Sequence, residues 1–219
     1  MIDFDLPHST VIKKVIPKNA FDNNTNSKEK SILAKSILRM TWENSISSET
    51  TNLSSIKIDE IQIIHIQLKE LLDITTILNI IDKNIPYHII FIISYNDTIK
   101  LHTTNKRASS LDETQFVLDW TFCTSWNHIS EKINCLNLSK NIDHVYYKFC
   151  SQFSDFLEDR HTSLDELIVL EKRKKLLSTE LLKHQRELSR QNQFNKKVEI
   201  QLKIAELETQ INTLICPKK

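Results

Sequence analysis

Three residues around one short apolar run have types suited to metal-dependent hydrolysis: Glu60, Gln67 and Lys69. An acidic residue and a lysine two positions apart on a strand can bind Mg²⁺ and polarise a water or a phosphate. Here Gln67 stands where that pattern has its acid, and period-two alternation puts Glu60 on the face opposite Lys69. A site with one carboxylate is a poor one. A strand-end lysine whose stem covers the sheet while its head reaches water accounts for Lys69 equally well. His65 and His88 lie on neighbouring apolar runs and could meet as a metal or acid–base pair. Buried histidines satisfied by hydrogen bonds are the commoner case. Asp155, Glu158, Asp159 and His161 read as a solvated charged helix end. Trp120 and Trp126 could stack on bases, but neither has basic flanks, and the core reading is the better one. The run Glu171–Lys175 could touch phosphate or be a solvated helix face, the commoner use of such a run. No Ser/His/Asp or Cys/His constellation follows from spacing. The residues alone therefore designate no catalytic group, no metal site and no cofactor.

The elements that would position these groups centre on Asp59–Tyr95. Ile61–Leu68 holds five Ile or Leu in eight residues, mostly β-branched and too short for a typical helix, so it reads as a buried strand. Alternation places Ile61, Ile63, His65, Gln67 and Lys69 on one face and Ile64, Ile66 and Leu68 on the other. Leu71 to Ile81 recurs with helical period and closes before Pro86. Tyr87–Ser94 is a second apolar strand, and Asn96-Asp97 turns it into Thr98–Thr104 as a hairpin. Ile64, Ile66, Ile90 and Ile92 are expected to be nearly fully buried in adjacent strands. The fold class expected is α/β (α+β), a small mixed sheet with flanking helices.

Around this core, residues 1–19 read as extended, and a helix capped by Ser27 is expected to run to Trp42. Glu43–Ser55 reads as a polar loop, Asn105–Glu113 as another, and Phe116–Phe122 as a strand. A short helix is expected from Trp126 around Ile129 and Ile133. Another, capped at Asn141, carries the stripe Val145, Tyr146, Phe149, Phe153, Phe156 and Leu157.

From Leu164 the chemistry changes. Leu167, Leu170, Lys174, Leu177, Leu181, His184 and Leu188 step by three and four, a coiled-coil-like seam with two polar intrusions. Ile200, Ile204, Leu207, Ile211 and Leu214 form a second seam out of phase with the first, the break falling at Arg190–Asn195. Either the helix turns back there or it continues with a shifted face. The preferred reading is an antiparallel helical hairpin over residues 161–219, with arms of about 30–40 Å, beside a globular domain at 1–160. Leu170, Leu177 and Leu181 would pack on Ile204, Leu207 and Ile211. The hairpin would be the main association surface, for a second copy or another protein, because two helices bury only one stripe per arm.

Composition excludes more than it selects. The chain of 219 residues contains no glycine. Phosphate-cradling loops, dinucleotide fingerprints and the nucleophile elbow need glycine for positive φ or close backbone approach. Walker ATPases, Rossmann enzymes and α/β-hydrolases of usual pattern are thus disfavoured, and turns must use Asn, Asp and Ser. Formal net charge is +1. Residues 161–219 hold 12 Lys and Arg against 8 Asp and Glu, a mild basic bias rather than a nucleic-acid footprint. Cys123, Cys135, Cys150 and Cys216 lack metal-ligand spacing. With no leader and no apolar run of spanning length, the expectation is a cytoplasmic protein with reduced thiols and no membrane contact.

The opening IDFDLPHSTVIKKVIPKNAFDNN, the segment WENSISSETTNL, the core EIQIIHIQLK through IDKNIPYHIIFIISY, the stretch LNLSKNIDHVYYKF and the tail QFNKKVEIQLKIAELETQI together resemble a bacterial family, domain-of-unknown-function family 4391. The resemblance spans nearly the whole chain. It departs where Asn96-Asp97-Thr98 and Ser48 stand in place of the family's usual Gly and Pro. The family has no established activity. The resemblance implies gene neighbours that are helicases and DNA methyltransferases of restriction-like defence loci, hence a link to nucleic acid by association. The function expected is a non-enzymatic accessory or adaptor protein of a restriction-like or antiphage defence complex. The alternatives are a degenerate PD-(D/E)xK-like Mg²⁺-dependent nuclease and a self-associating coiled-coil protein.

Overall fold

The strand rich in isoleucine, Glu60–Leu68 (β3 below), lies at the middle of a seven-stranded mixed sheet. In the computed structural model of the chain, which describes residues 4–22, 25–108, 116–129, 136–157 and 160–215, the strands are β1 (Val11–Val15), β2 (Ile37–Ser47), β3, β4 (His88–Tyr95), β5 (Thr98–Ala108), β6 (Phe116–Cys123) and β7 (Asn127–His128). They run β1-β2-β3-β4-β5-β6 across the sheet, with β7 also paired to β5. Among the described strands only β3 and β4 pair in parallel, and the connection between them carries the helix Thr75–Asn84, α3 below. The chain divides into two compact units, Met1–Phe153 and Ser154–Lys219.

In the first unit, alternation along β3 and β4 sends apolar side chains to both faces, as expected of strands covered on both sides. Ile64, Ile66, Ile90 and Ile92 are buried in adjacent strands, as the sequence predicted. On one face, Ile64, Ile66, Phe91 and Ile93 pack with Ile77, Leu78 and Ile81 of α3 and Leu33 of α1 (Ser27–Ser36). The helix α4 (Ile142–Ser151), begun by Asn141, whose side chain accepts the His144 N–H at 2.8 Å, contributes buried Val145, Tyr146 and Phe149. The Tyr146 hydroxyl meets Thr103 Oγ1 at 2.8 Å, and its ring packs edge-on against His88.

Several boundaries differ from the sequence reading. The first helix is capped by Asn26 with Glu29 closing a capping box, one residue before the expected Ser27. It ends at Ser36, and Ile37–Ser47 is strand β2 rather than helix followed by polar loop. The positions Ile37, Met40 and Thr41 satisfy a helical period locally. Pairing with β1 on one side and β3 on the other overrides that pattern, because local propensity is a weak prior against two hydrogen-bonded neighbours. A short helix, α2 (Ser48–Thr51), follows. The helix α3 starts at Thr75, not Leu71, where Asp73 accepts both the Thr75 N–H and its hydroxyl. The expected helix after Trp126 gives way to β7, while Ile133 lies outside the described residues. The loop expected from Asn105 is strand through Ala108, and 109–115 lies outside the described residues. The aromatic helix stops at Ser151, leaving Phe153 and Phe156 beyond it.

Five non-glycine residues among those described have positive φ: Asp5, Lys13, Asn52, Asn96 and Lys140. Asn96, at 48°, sits in the β4–β5 hairpin turn, where the resemblance puts a glycine in related chains. The absence of glycine is thus met partly by Asn and Asp, as expected, and partly by lysine.

The second unit is a helical hairpin: α5 (Leu164–Arg190) and α6 (Phe194–Ile215) pack together, joined by residues 191–193. Ser163 caps α5, its hydroxyl accepting from Glu166 N–H. The turn falls inside the predicted phase break. Every residue of the two predicted seams is buried or half-buried, with Leu167, Leu177, Ile200 and Leu207 the most enclosed.

Candidate functional site

The residues first suspected of hydrolytic chemistry do not converge. Glu60 opens β3, where its carboxylate accepts a hydrogen bond from Ser45 Oγ. Gln67 lies near the other end, seven residues or about 23 Å further along. Lys69 is exposed just past the strand, and its ammonium donates to the Ala34 carbonyl at 3.0 Å, anchoring the strand end to α1. His65 and His88 do not meet either. Ile61 is the partner of His88 and Ile92 that of His65, so the imidazoles lie four residues apart along the sheet.

Each histidine has other partners. The Lys106 N–H donates to His88 Nε2 at 3.2 Å, and burial pushes the imidazole down to about 4. His65 joins a polar group absent from the sequence reading. Its Nε2 is 2.8 Å from Ser94 Oγ, and its Nδ1 faces the Glu43 carboxylate at 3.7 Å. Burial lowers the His65 pKa and raises that of Glu43, the latter opposed by Lys13 and Arg39. The imidazole is thus hydrogen-bonded to the hydroxyl, while the carboxylate stands just beyond hydrogen-bond reach. The group borders a cavity of about 310 Å³, walled also by Phe4, Val11, Lys13 and Asn44. Two irregularities aim side chains there: a register shift between Val11 and Lys14, with Lys13 at φ 51°, and another between Trp42 and Asn44, which frees Glu43 from the ladder. The sequence signal was Thr41-Glu43-Ser45, a polar alternation visible only once 37–47 is read as a strand. Among the described residues, no group of three or more His, Cys, Asp or Glu is placed to hold a metal.

A buried ion pair was likewise illegible. Lys106 Nζ donates to the Ile85 and Tyr87 carbonyls at 2.6 Å each and lies 3.3 Å from Asp82 Oδ1, both side chains enclosed. Burial raises the Asp82 carboxyl to about 6, with Lys106 opposing the rise. The pair ties α3 to β5 and is structural.

In the hairpin, Leu170, Leu181, Ile204 and Ile211 are half-buried along the seams that Leu177 and Leu207 anchor. The polar intrusions are satisfied within the unit: Lys174 pairs with Asp155, and His184 Nδ1 meets Glu187 at 3.2 Å. His161, expected in a solvated charged cluster, is buried, while Glu158 and Asp159 lie outside the described residues. Away from the seam, Phe194, Val198 and Leu202 are exposed on α6, within about 80° of one another at about 100° per residue. Val169, Leu176 and Leu182 are exposed on α5. Free thiols are Cys123, exposed, and Cys150, buried; Cys135 and Cys216 lie outside the described residues. No helix among the described residues is long and apolar enough to cross a membrane.

The family model described as Domain of unknown function (DUF4391) matches residues 4–211. The chain belongs to that family. The DUF4391 match spans both units, so the sheet and nearly all of the hairpin are parts of one family architecture. No curated protein and no solved structure matches the chain.

Proposed function

We propose that this DUF4391 chain is a non-enzymatic accessory protein that docks a protein partner through its C-terminal hairpin. The observation that carries this reading is the exposed apolar stripe Phe194, Val198 and Leu202 on α6, outside a seam that α5 already fills. Phe194 is 77% exposed. Clustered apolar residues held in water on one helix face are how a helix offers itself to a groove or to another helix. The partner class follows the family resemblance alone: a helicase or DNA methyltransferase of a defence complex.

The test is size-exclusion chromatography with light scattering, on the full chain alone and mixed with the neighbouring helicase or methyltransferase. Co-elution lost on Leu202→Glu, with an unchanged melt, is the expected result. A doubled mass of the chain alone that depends on Leu202 would replace the accessory reading with self-association. Incubation with single- and double-stranded DNA and RNA and Mg²⁺ or Mn²⁺ completes the test. Cleavage that disappears in Lys69→Ala would turn the assignment to a nuclease.

A further inference from the structure

The sheet face that packs under α3 is apolar on β3 and β4 but polar on β5, where Lys100, His102, Thr104 and Lys106 alternate. Lys106 is taken up by Asp82, and Thr104 by Thr121 at 3.1 Å. Among the described residues, His102 has no such partner. It is 4% exposed, its ring lies beside Phe91, and its Nε2 accepts and donates no hydrogen bond. A buried polar atom left unpaired carries a desolvation cost, and such groups in native folds call for an explanation.

His102 lines a cavity of about 350 Å³ between the segment after β3, the first turn of α3 and strand β5. That is the carboxyl end of the parallel pair β3–β4, where crossover folds characteristically leave a ligand crevice. Leu72, Leu78, Ile93 and Trp126 supply its apolar walls. Lys100 and Asp73 supply charges of opposite sign at its rim.

These charges narrow the ligand. An anion would meet the Asp73 carboxylate, which already occupies the first N–H of α3 and is held low by its hydrogen bonds to Thr75. A cation would meet Lys100. What fits is a neutral planar group with an apolar face and a polar edge bearing both donors and acceptors. Lys100 then donates, Asp73 accepts, and the neutral His102 ring serves whichever role the edge leaves open. Trp126 gives the flat ring an aromatic neighbour. We propose that this cavity binds a heteroaromatic ring of the nucleobase class, free or as one base of a single strand, with His102 and Lys100 reading its edge. The proposal is independent of the accessory role of the hairpin.

The experiment titrates the full-length chain with adenosine, guanosine, cytidine and uridine, and separately with a mixed-sequence single-stranded oligonucleotide. Calorimetry and tryptophan fluorescence report binding. At least one nucleoside is expected to bind with a sub-millimolar Kd, and Trp126→Phe to remove most of the fluorescence response. His102→Phe and Lys100→Ala are each expected to weaken binding about five- to tenfold, one hydrogen bond's worth. Lys100 is only half-buried, so its variant carries the test if His102→Phe fails to fold. Tighter oligonucleotide binding that weakens in the same variants assigns the base to a strand; nucleoside binding alone assigns a small molecule. No nucleoside or oligonucleotide binding at millimolar concentration, or binding unchanged in both variants, overturns the proposal.

Discussion

The two units solve the same problem, covering apolar surface, in opposite ways. In the sheet unit, β3 and β4 are apolar on both faces, and Ile61, Ile63, Ile64, Ile66, Ile89 and Ile90 are all essentially inaccessible. That enclosure is deep enough to hold a lysine, an aspartate and three histidines away from water. The hairpin buries one stripe per helix and leaves Val169, Leu176, Phe194 and Leu202 in solvent. Density stabilises the first, while periodicity alone organises the second. A two-helix unit gains most by adding a third surface.

All three tryptophans lie in the sheet unit, so their fluorescence follows that unit while helical circular dichroism weights the hairpin. The largest expected loss comes from Lys106→Met, which strands the Asp82 carboxylate in an enclosed site. The fluorescence-detected urea transition should fall by about 3–5 kcal/mol, and Asp82→Leu added to it should restore much of the loss. A cost near zero would mean that water reaches the pair.

Next come Ile66→Ala and Ile92→Ala, at about 2–5 kcal/mol each from cavity formation between β3 and β4. Leu177→Ala in the hairpin seam, by contrast, should cost about 0.5–3 kcal/mol and move the dichroism transition more than the fluorescence one. Equal displacement of both signals would show the units unfolding as one and end the contrast drawn above.

Acid should act on the sheet unit first. Burial depresses His88 and His102 from 6.5 to about 4, so below pH 6.5 the unfolded chain takes up protons that the native chain refuses. Their stability contribution is present above about 6.5 and is lost as pH falls towards 4, at roughly 3 kcal/mol per histidine in the limit. Asp82, raised to about 6, works the other way: its contribution is present below 3.8 and is lost as pH rises through 6. The histidine variants separate the two. Urea transitions at pH 7 and 4.5 should converge when His102→Gln replaces the native residue, relative to the unaltered chain. Unchanged spacing would place His102 in water.

The smallest effect is a gain. Lys140, exposed at φ 60°, occupies a conformation that costs a residue with a Cβ about 1 kcal/mol. Lys140→Gly should recover about that much in the fluorescence transition, and no gain would mean that side-chain contacts offset the strain.

What the sequence determined by itself was everything governed by local period and composition. Apolar density in 61–68 and 87–94 specified β3 and β4 and the burial of Ile64, Ile66, Ile90 and Ile92, because each apolar residue there has no alternative to burial. Three-four stepping specified both seams, and their phase break at 190–195 contains the turn at 191–193, although the stepping alone also allowed one helix with a shifted face. Tertiary structure alone decided Ile37–Ser47. Its residues suit a helix or a strand, and only the open edges of β1 and β3 select between them. It alone also decided every polar meeting in the sheet: Glu43 with His65 and Ser94, Asp82 with Lys106, and the solitary His102 beside Trp126 and Lys100. Apart from Lys100 and His102, those contacts join residues 22 to 29 apart in the chain, on elements that the register of the sheet brings side by side. A sequence shows which residues can ionise. Only the register of the folded sheet sets which of them lie within ångströms of one another.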